Sequence, residues 1–440
     1  MSGQADQTQS MGIWMTTALV IGTIIGGAIF LLPVTLAPLG RNALIAWLIS
    51  GTGVLCIGYA LARLSRLGGE GIQANIERQF GPTTAFLVAW AFWVSNWAAN
   101  ASVAVAAVSA LSFIGPQFGE PDMIVPLAIG LVVLLTGINA LGVRASGGLS
   151  IVTVAIKVLP LLAVIWLFGQ RGVSGGGFEA FAPMPISIAN VATATALTFF
   201  ALTGFESATG PVGKIRDPAR TIPRALLRGT AFVAFLYLVA GTSIQMLLPA
   251  DVVANSPAPF ADALVSNWGH GAASFAALAI AISAIGCLNG LILVTGELGY
   301  SMALRGDLPK IMTRTLGANT PIVAQLVGAG LTILLLLANS SRATASLFTF
   351  IILLSTAAII VVYFTSALAA WKLSPTLGSR SAIVVALLFV TFAAYGTGLE
   401  AIIWCVVLLA VGLAIRAVMH RLNSRATIPA MVPVPAAPLE

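Results

Sequence analysis

Charge is what this sequence has least of. Of 440 residues only 8% are charged, 21 Lys and Arg against 14 Asp and Glu. A surface that faces water needs roughly 25%. That shortage excludes an ordinary soluble enzyme and a disordered chain, and it leaves no nucleic acid among the expected partners. Histidine is almost missing, with two residues, and cysteine is rare, with three. Cys56, Cys287 and Cys405 each fall inside an apolar run. Their spacing suits neither a metal site nor a disulfide framework, so they read as small buried residues. No GxxxxGK[ST] loop occurs, which excludes an ATP motor, and no His–Glu or acidic cluster suggests a membrane protease. No metal, no cofactor and no covalent chemistry are expected.

What is present is hydrophobic sequence, 58% of the chain, in long runs without alternation. A helix needs about 20 mostly apolar residues to cross a bilayer core of about 30 Å. Twelve candidate spans lie near 11–39, 42–62, 82–113, 123–143, 148–169, 187–212, 223–248, 271–303, 320–339, 343–371, 380–397 and 399–419. The fold class expected is an all-α integral membrane protein, because long unalternated runs make helices rather than a barrel. With eleven further runs after it, the first reads as a span and not as a cleaved signal peptide.

The loops set an orientation. With the N-terminus inside, the inner loops and tail hold Arg63, Arg66, Arg78, Arg144, Lys214, Arg216, Arg220, Arg224, Arg228, Arg305, Lys310, Arg314, Lys372, Arg380, Arg416, Arg421 and Arg425. The outer loops hold Arg41, Arg171 and Arg342, and carry the acids Glu120, Asp122, Glu179, Asp251, Asp262 and Glu400. So uneven a split predicts both termini in the cytoplasm and a plasma (inner) membrane location. The Pro-rich tail over 426–440 is expected to be disordered.

Two spans are spoiled as helices. Span 1 carries Gly22, Gly26 and Gly27 at mid-membrane, and each glycine costs roughly 1 kcal/mol in a helix relative to Ala. Span 6 carries Thr203-Gly204-Phe205-Glu206 at similar depth. Close helix packing accounts for small residues four apart, such as Gly22 and Gly26. Two interruptions about 177 residues apart, at matched places in two five-span halves, point instead to a secondary transporter with inverted repeats. The inner half of span 1 would end near Ile25, leaving the carbonyls of Thr23, Ile24 and Ile25 unpaired. The outer half would begin near Gly27, leaving the N–H groups of Gly27, Ala28 and Ile29 free. Free N–H groups at a helix start attract an anion, and free carbonyls suit an ammonium. Span 6 adds carbonyls around Phe200, Ala201 and Thr203. Together they suit an amino-acid zwitterion.

The runs GTIIGGAIFLLP and TFFALTGFESATGPVGKIRDPARTIPRAL, with PAPFADA before span 8, resemble the amino acid–polyamine–organocation (APC) transporters. The chain is similar to their bacterial basic amino acid/polyamine antiporters of the arginine/agmatine type. The resemblance implies the leucine-transporter fold, a five-plus-five inverted repeat with spans 1 and 6 broken. The repeats would cover residues 11–169 and 187–371, followed by spans 11–12 at 380–419, with tails at 1–10 and 420–440. It also implies that Gly26, Gly27 and Ala28 bind a carboxylate, and that the carbonyls of Ile24, Phe200 and Thr203 take the amine. Gly204 and Ala201 belong to the same break. Phe200 stands where the arginine/agmatine antiporters have a lid Trp, and Leu291 where they have a second Trp, so a cation–π partner worth roughly 0.5–2 kcal/mol is lost. Asn96 and Asn100 match pocket positions, and Phe92 shares their helix face at i, i+4 and i+8. Ser355 and Thr356 are span 10 candidates. This pocket is neutral, with no carboxylate to meet a second ammonium, which counts against polyamines.

Three charges lie inside the spans. Lys157 sits near the middle of span 5, where a charged side chain costs several kcal/mol. In the resembled family a lysine here accompanies proton-dependent transport. Glu206 follows the span 6 break and matches a glutamate at the family's inner gate, though capping the next half-helix is also open to it. Glu297, nearer the inner end of span 8, has a structural role if it pairs with Arg305 or another inner base. The function expected is secondary active transport of a neutral or cationic amino acid by alternating access, with protons coupled through Lys157 and Glu206. An arginine/agmatine-like or polyamine exchanger is the alternative within the class. A channel or pore is the alternative outside it, although no filter motif appears. The partners expected are a small-molecule amino acid or amine, protons and the lipid bilayer, and a homodimer is left open.

Overall fold

A computed structural model describes residues 11–65, 71–141, 147–206, 215–317, 320–374 and 376–426. Arg66, Arg144, Lys214, the 1–10 segment and the tail beyond residue 426 lie outside the described residues. The protein is all-α. It runs through α1 (Ile13–Ile24), α2 (Leu32–Leu36), α3 (Arg41–Leu64), α4 (Gly71–Leu111), α5 (Pro121–Ala140), α6 (Gly147–Val173) and α7 (Ile188–Ala201). Then follow α8 (Pro218–Leu247), α9 (Ala250–Asn255), α10 (Pro259–Leu304), α11 (Ile322–Ala338), α12 (Thr344–Lys372), α13 (Leu377–Gly396) and α14 (Gly398–Ala426). Among the described residues nine helices are long and apolar enough to cross a membrane: α3, α4, α5, α6, α8, α10, α12, α13 and α14. The apolar helices α1, α7 and α11 are shorter. The two that fall on the glycine-bearing runs, α1 and α7, stop short where the sequence places the breaks.

α4 is the central pillar. In its most apolar stretch 89% is buried, against 11% for α14, which forms the outer surface. Its neighbours are α10 and α12, and polar ties fix the register between them. Trp93 Nε1 donates to the Thr295 carbonyl at 3.0 Å, and Ser95 shares a hydroxyl bond of 2.9 Å with Ser355. A second group, α3, α8 and α13, packs around the two short helices α1 and α7. Ser50 and Thr198 hydroxyls join α3 to α7 at 2.7 Å. Inside a low-dielectric bundle such bonds are strong, and an unmade one is costly.

α4 and α10 share a plan. Each begins with an arm, turns at a glycine in left-handed conformation (Gly81 φ 83°, Gly269 φ 75°), and continues as a long helix. The corners fall just before the predicted span starts at 82 and 271. The arms lie at opposite ends of the bundle. Glu77 and Gln79 of the first arm meet Arg305 and Lys372, where α10 and α12 finish. The second arm follows α9, which packs on α2 at the other end. Arg305 pairs with Glu77 at 2.5 Å.

α13 lies so close to α7 that a Cβ on Gly396 would come 1.8 Å from the Ala192 carbonyl oxygen, while Gly330 of α11 has open space. Backbone cannot yield as a side chain does, so overpacking at residue 396 should cost about 1–3 kcal/mol. Gly396→Ala is expected to lower the thermal midpoint of the detergent-purified protein. Gly330→Ala should leave it unchanged or raise it slightly, because alanine favours the helix. Equal midpoints for the two variants would contradict the described α7–α13 contact.

Candidate functional site

The break in α1 is a short, ordered device. Ile25 has φ −73° and ψ 88°, near an inverse γ-turn, and Gly26 N–H donates back to the Ile24 carbonyl at 2.8 Å. The chain restarts as a tight turn, Ala28–Phe30, and then α2. Among the described residues no backbone acceptor takes the N–H groups of Gly27, Ala28 and Ile29. The break in α7 ends at Leu202 and Thr203, and Gly204 follows at φ 106°. A Cβ there would meet the Thr23 carbonyl oxygen at 2.6 Å. Only glycine takes that backbone shape without strain and also lets the chain lie directly on the end of α1.

Between the two breaks is a cavity of about 80 Å³, room for several waters. The α1 break contributes Thr23, Ile24, Gly26, Ala28 and Ile29, and the α7 break Phe200, Ala201, Thr203, Gly204 and Glu206. α4 adds Phe92, Ser95, Asn96, Ala99 and Val103, α10 adds Cys287 and Leu291, and α12 adds Ser355 and Ile359. The structure thus brings together Ile24, Gly26, Ala28, Phe92, Asn96, Phe200, Ala201, Thr203, Gly204, Leu291 and Glu206 from the sequence reading.

Four expected features are placed differently. Gly27 is a packing glycine: a Cβ would sit 2.4 Å from that of Ala284 on α10. Asn100 is buried behind the wall, its Nδ2 donating to Thr295 Oγ1 at 3.2 Å. At about 100° per residue, Asn100 falls roughly 80° from Phe92 around α4, whereas Ala99 and Val103 fall within about 20°. Two carbonyls expected to be open are occupied. Ile24 O accepts Gly26 N–H and the Tyr237 hydroxyl (3.2 Å), and Phe200 O accepts Thr203 N–H and its hydroxyl. Among the described residues the carbonyls of Thr23, Ile25, Ala201 and Thr203 receive no donor, so the amine-accepting role shifts toward them. Finally, the wall carries a carboxyl group, that of Glu206.

Glu206 is 7% exposed. Its Oε2 accepts the Gly204 N–H at 3.0 Å and the Tyr363 hydroxyl at 2.6 Å. Tyr363 is fully buried on α12, two turns beyond Ser355, and stacks on Phe205 with ring centroids 5.4 Å apart. The sequence reading missed it, although a tyrosine in mid-span, one of five in the chain, was the available signal. It also missed Cys287, whose Sγ lies 3.1 Å from where a Gly26 Cβ would be. Lys157 is off the wall. It is 7% exposed, and its Nζ donates to the Gly22 carbonyl at 3.1 Å, tying α6 to the last turn of α1. Thr356 faces α7, donating to Ala196 O at 3.3 Å. Among the described residues no cluster of His, Cys, Asp and Glu is arranged to hold a metal.

A small cavity at mid-bundle, walled by two interrupted helices with N–H groups and carbonyls that take no backbone partner among the described residues, suits a membrane transporter. A family model described as amino acid permease matches residues 11–428, and the chain belongs to that family. It is 28% identical over 352 residues to a cadaverine/lysine antiporter of Escherichia coli (strain K12), covering 77% of this chain and 78% of the relative. It is 27% identical over 328 residues to the putrescine transporter PotE of the same strain, covering 73% and 74%. The protein is a multi-pass secondary transporter.

Gly204→Ala tests the contact on which this site rests. The left-handed backbone alone costs an L-residue roughly 1–2 kcal/mol, and the Thr23 carbonyl has to move as well. The variant is expected to reach the membrane with a lowered thermal midpoint and to lose uptake. Wild-type uptake would show that the two breaks do not meet as described.

Proposed function

We propose that this protein is a proton-dependent exchanger of a basic amino acid and a related amine. It would work by alternating access in the inner membrane, through twelve spans with both termini in the cytoplasm. The observation that carries the substrate class is Glu206, a buried carboxylate on the wall of an otherwise uncharged cavity. A substrate's α-carboxylate meets the N–H groups of Ala28 and Ile29, its α-ammonium the carbonyls of Ala201 and Thr203, and its distal cation Glu206. The names of the cadaverine/lysine and putrescine relatives agree with a cationic substrate. Most of the 21 Lys and Arg residues fall on the predicted inner side, which supports the orientation. The two corners at Gly81 and Gly269, on arms at opposite ends of the bundle, support an inverted repeat.

In this reading spans 1, 2, 6 and 7 rock against spans 3, 4, 8 and 9. Lys157 senses the movement because its partner, the Gly22 carbonyl, belongs to α1. Protonation of its amine and the position of the α1 break are then linked, which couples proton and substrate.

Counterflow in proteoliposomes tests the substrate. Preloaded lysine, arginine, ornithine, cadaverine or putrescine should accelerate uptake of a labelled basic partner, and leucine or glutamine should not. Glu206→Gln should slow that exchange at least tenfold, the loss of roughly 1.4 kcal/mol or more. Acceleration by the neutral amino acids alone would remove the cationic reading. Lys157→Met should flatten the dependence of uptake on external pH, and an unchanged pH profile would separate Lys157 from coupling.

A further inference from the structure

A second cavity, of about 370 Å³, lies at the end of the bundle where α12 and α14 begin, with α2 and α9 closing its other side. It is separate from the central one. On α12, Ser346, Thr349 and Phe350 face it, while Ser355 and Ile359 face the central cavity. Thr349 and Ser355 are six residues apart, a turn of about 600° or 240° net, so the two sets look to different sides of the helix.

The chemistry of this groove is lopsided. Arg342 and Glu400 form an ion pair of 2.5 Å on its wall, with side chains 35% and 55% exposed. The guanidinium lies 4.4 Å over the Phe350 ring, which fixes its plane. A pair this exposed contributes only about 0–1 kcal/mol to folding. Of the five N–H donors on a guanidinium, one goes to Glu400. Only Oε1 of Glu400 is engaged, and Oε2 takes no donor among the described residues. Two of the hydroxyls nearby have already given their protons away: Thr35 to Leu32 O at 2.9 Å, and Thr349 to Ala345 O at 2.7 Å. They face a ligand as acceptors only. Arg342 therefore offers donors to an anion, while Glu400, Thr35 and Thr349 offer acceptors to a group with several N–H bonds. The two halves are held side by side by the ion pair itself, so a ligand carrying both charges extends the pair without breaking it.

We propose that this groove binds a compact zwitterion, an ammonium linked to a carboxylate or phosphate, outside the transport cavity. A primary ammonium is specified over a quaternary one, because the acceptors need N–H donors. Two sources share this chemistry, a free zwitterion in solution and the headgroup of an ethanolamine phospholipid.

The test uses the full-length protein. Phosphoethanolamine and phosphocholine are titrated against its thermal midpoint in detergent, and retention of phosphatidylethanolamine against phosphatidylcholine is read by native mass spectrometry. Phosphoethanolamine is expected to raise the midpoint, and phosphocholine to do so at least tenfold more weakly. Arg342→Gln combined with Glu400→Gln should weaken the phosphoethanolamine response at least tenfold. Thr349→Val, which keeps both charges, should narrow its preference over phosphocholine. Loss of bound phosphatidylethanolamine in the double variant assigns the site to the headgroup. Unchanged lipid with a lost response to the soluble probe assigns it to a free zwitterion. No wild-type response, or an equal response in the double variant, overturns the proposal, and the latter places the probe in the central cavity.

Discussion

The contact between the two interrupted helices governs the rest of the molecule. Gly204 lies on the Thr23 carbonyl so closely that no Cβ fits, and its positive φ turns the chain out of α7 at that point. Without that approach the α1 break and the α7 break would face separate neighbours, and no cavity would be enclosed by both. Each break strands backbone groups in a region where an unsatisfied polar group costs several kcal/mol. Bringing the breaks together concentrates those groups on one small volume, so a single zwitterionic ligand can satisfy groups from both.

Neighbouring helices hold each break in its shape. Tyr237 of α8 donates to Ile24 O, Lys157 of α6 donates to Gly22 O, and Tyr363 of α12 donates to Glu206. A neutral hydrogen bond such as that of Tyr237 is worth about 0.5–1.5 kcal/mol net and one to a charged group about 1.5–3, and a partner left buried and unmatched costs about 1–3. These three bonds are therefore large enough to decide where the broken ends sit. Two of them end on carbonyls of α1 and one on the carboxylate after α7. Any movement of α1 against α6 and α8 must break or carry two of these bonds together. The α4–α10–α12 group is tied internally by Trp93–Thr295 and Ser95–Ser355 and, among the described residues, has no such bond to the α1 break.

The helices, their order and the two break points were legible from composition and glycine placement, because lipid forces long apolar runs and a helix tolerates little glycine. Phe92, Asn96, Leu291 and the α7 residues were legible from the motifs. Three examples show why the rest was not. Asn100 follows Asn96 by one turn, but the drift of a helix over eight residues carries it off the face, a rotation that an i, i+4, i+8 pattern hides. Gly27 serves contact with Ala284, which depends on how near α10 comes. Ile24 and Phe200 have carbonyls that local turns and Tyr237 consume, and these depend on the conformation inside the breaks. In each case the missing information is distance between segments far apart in sequence.

The placement of Glu206 follows from the same energetics. A fully charged side chain in mid-bilayer costs several kcal/mol, whereas a helix end supplies about half a charge from groups the helix already has. Helix ends are thus the cheaper way to hold the two charges every amino acid carries. A distal cation is different, because its distance from the α-carbon varies and no second helix end is near. A carboxylate can meet such a charge, and a buried carboxylate needs donors of its own. The Gly204 N–H and the Tyr363 hydroxyl provide two, both on one oxygen, Oε2. This arrangement holds the carboxyl in a fixed plane on the cavity wall.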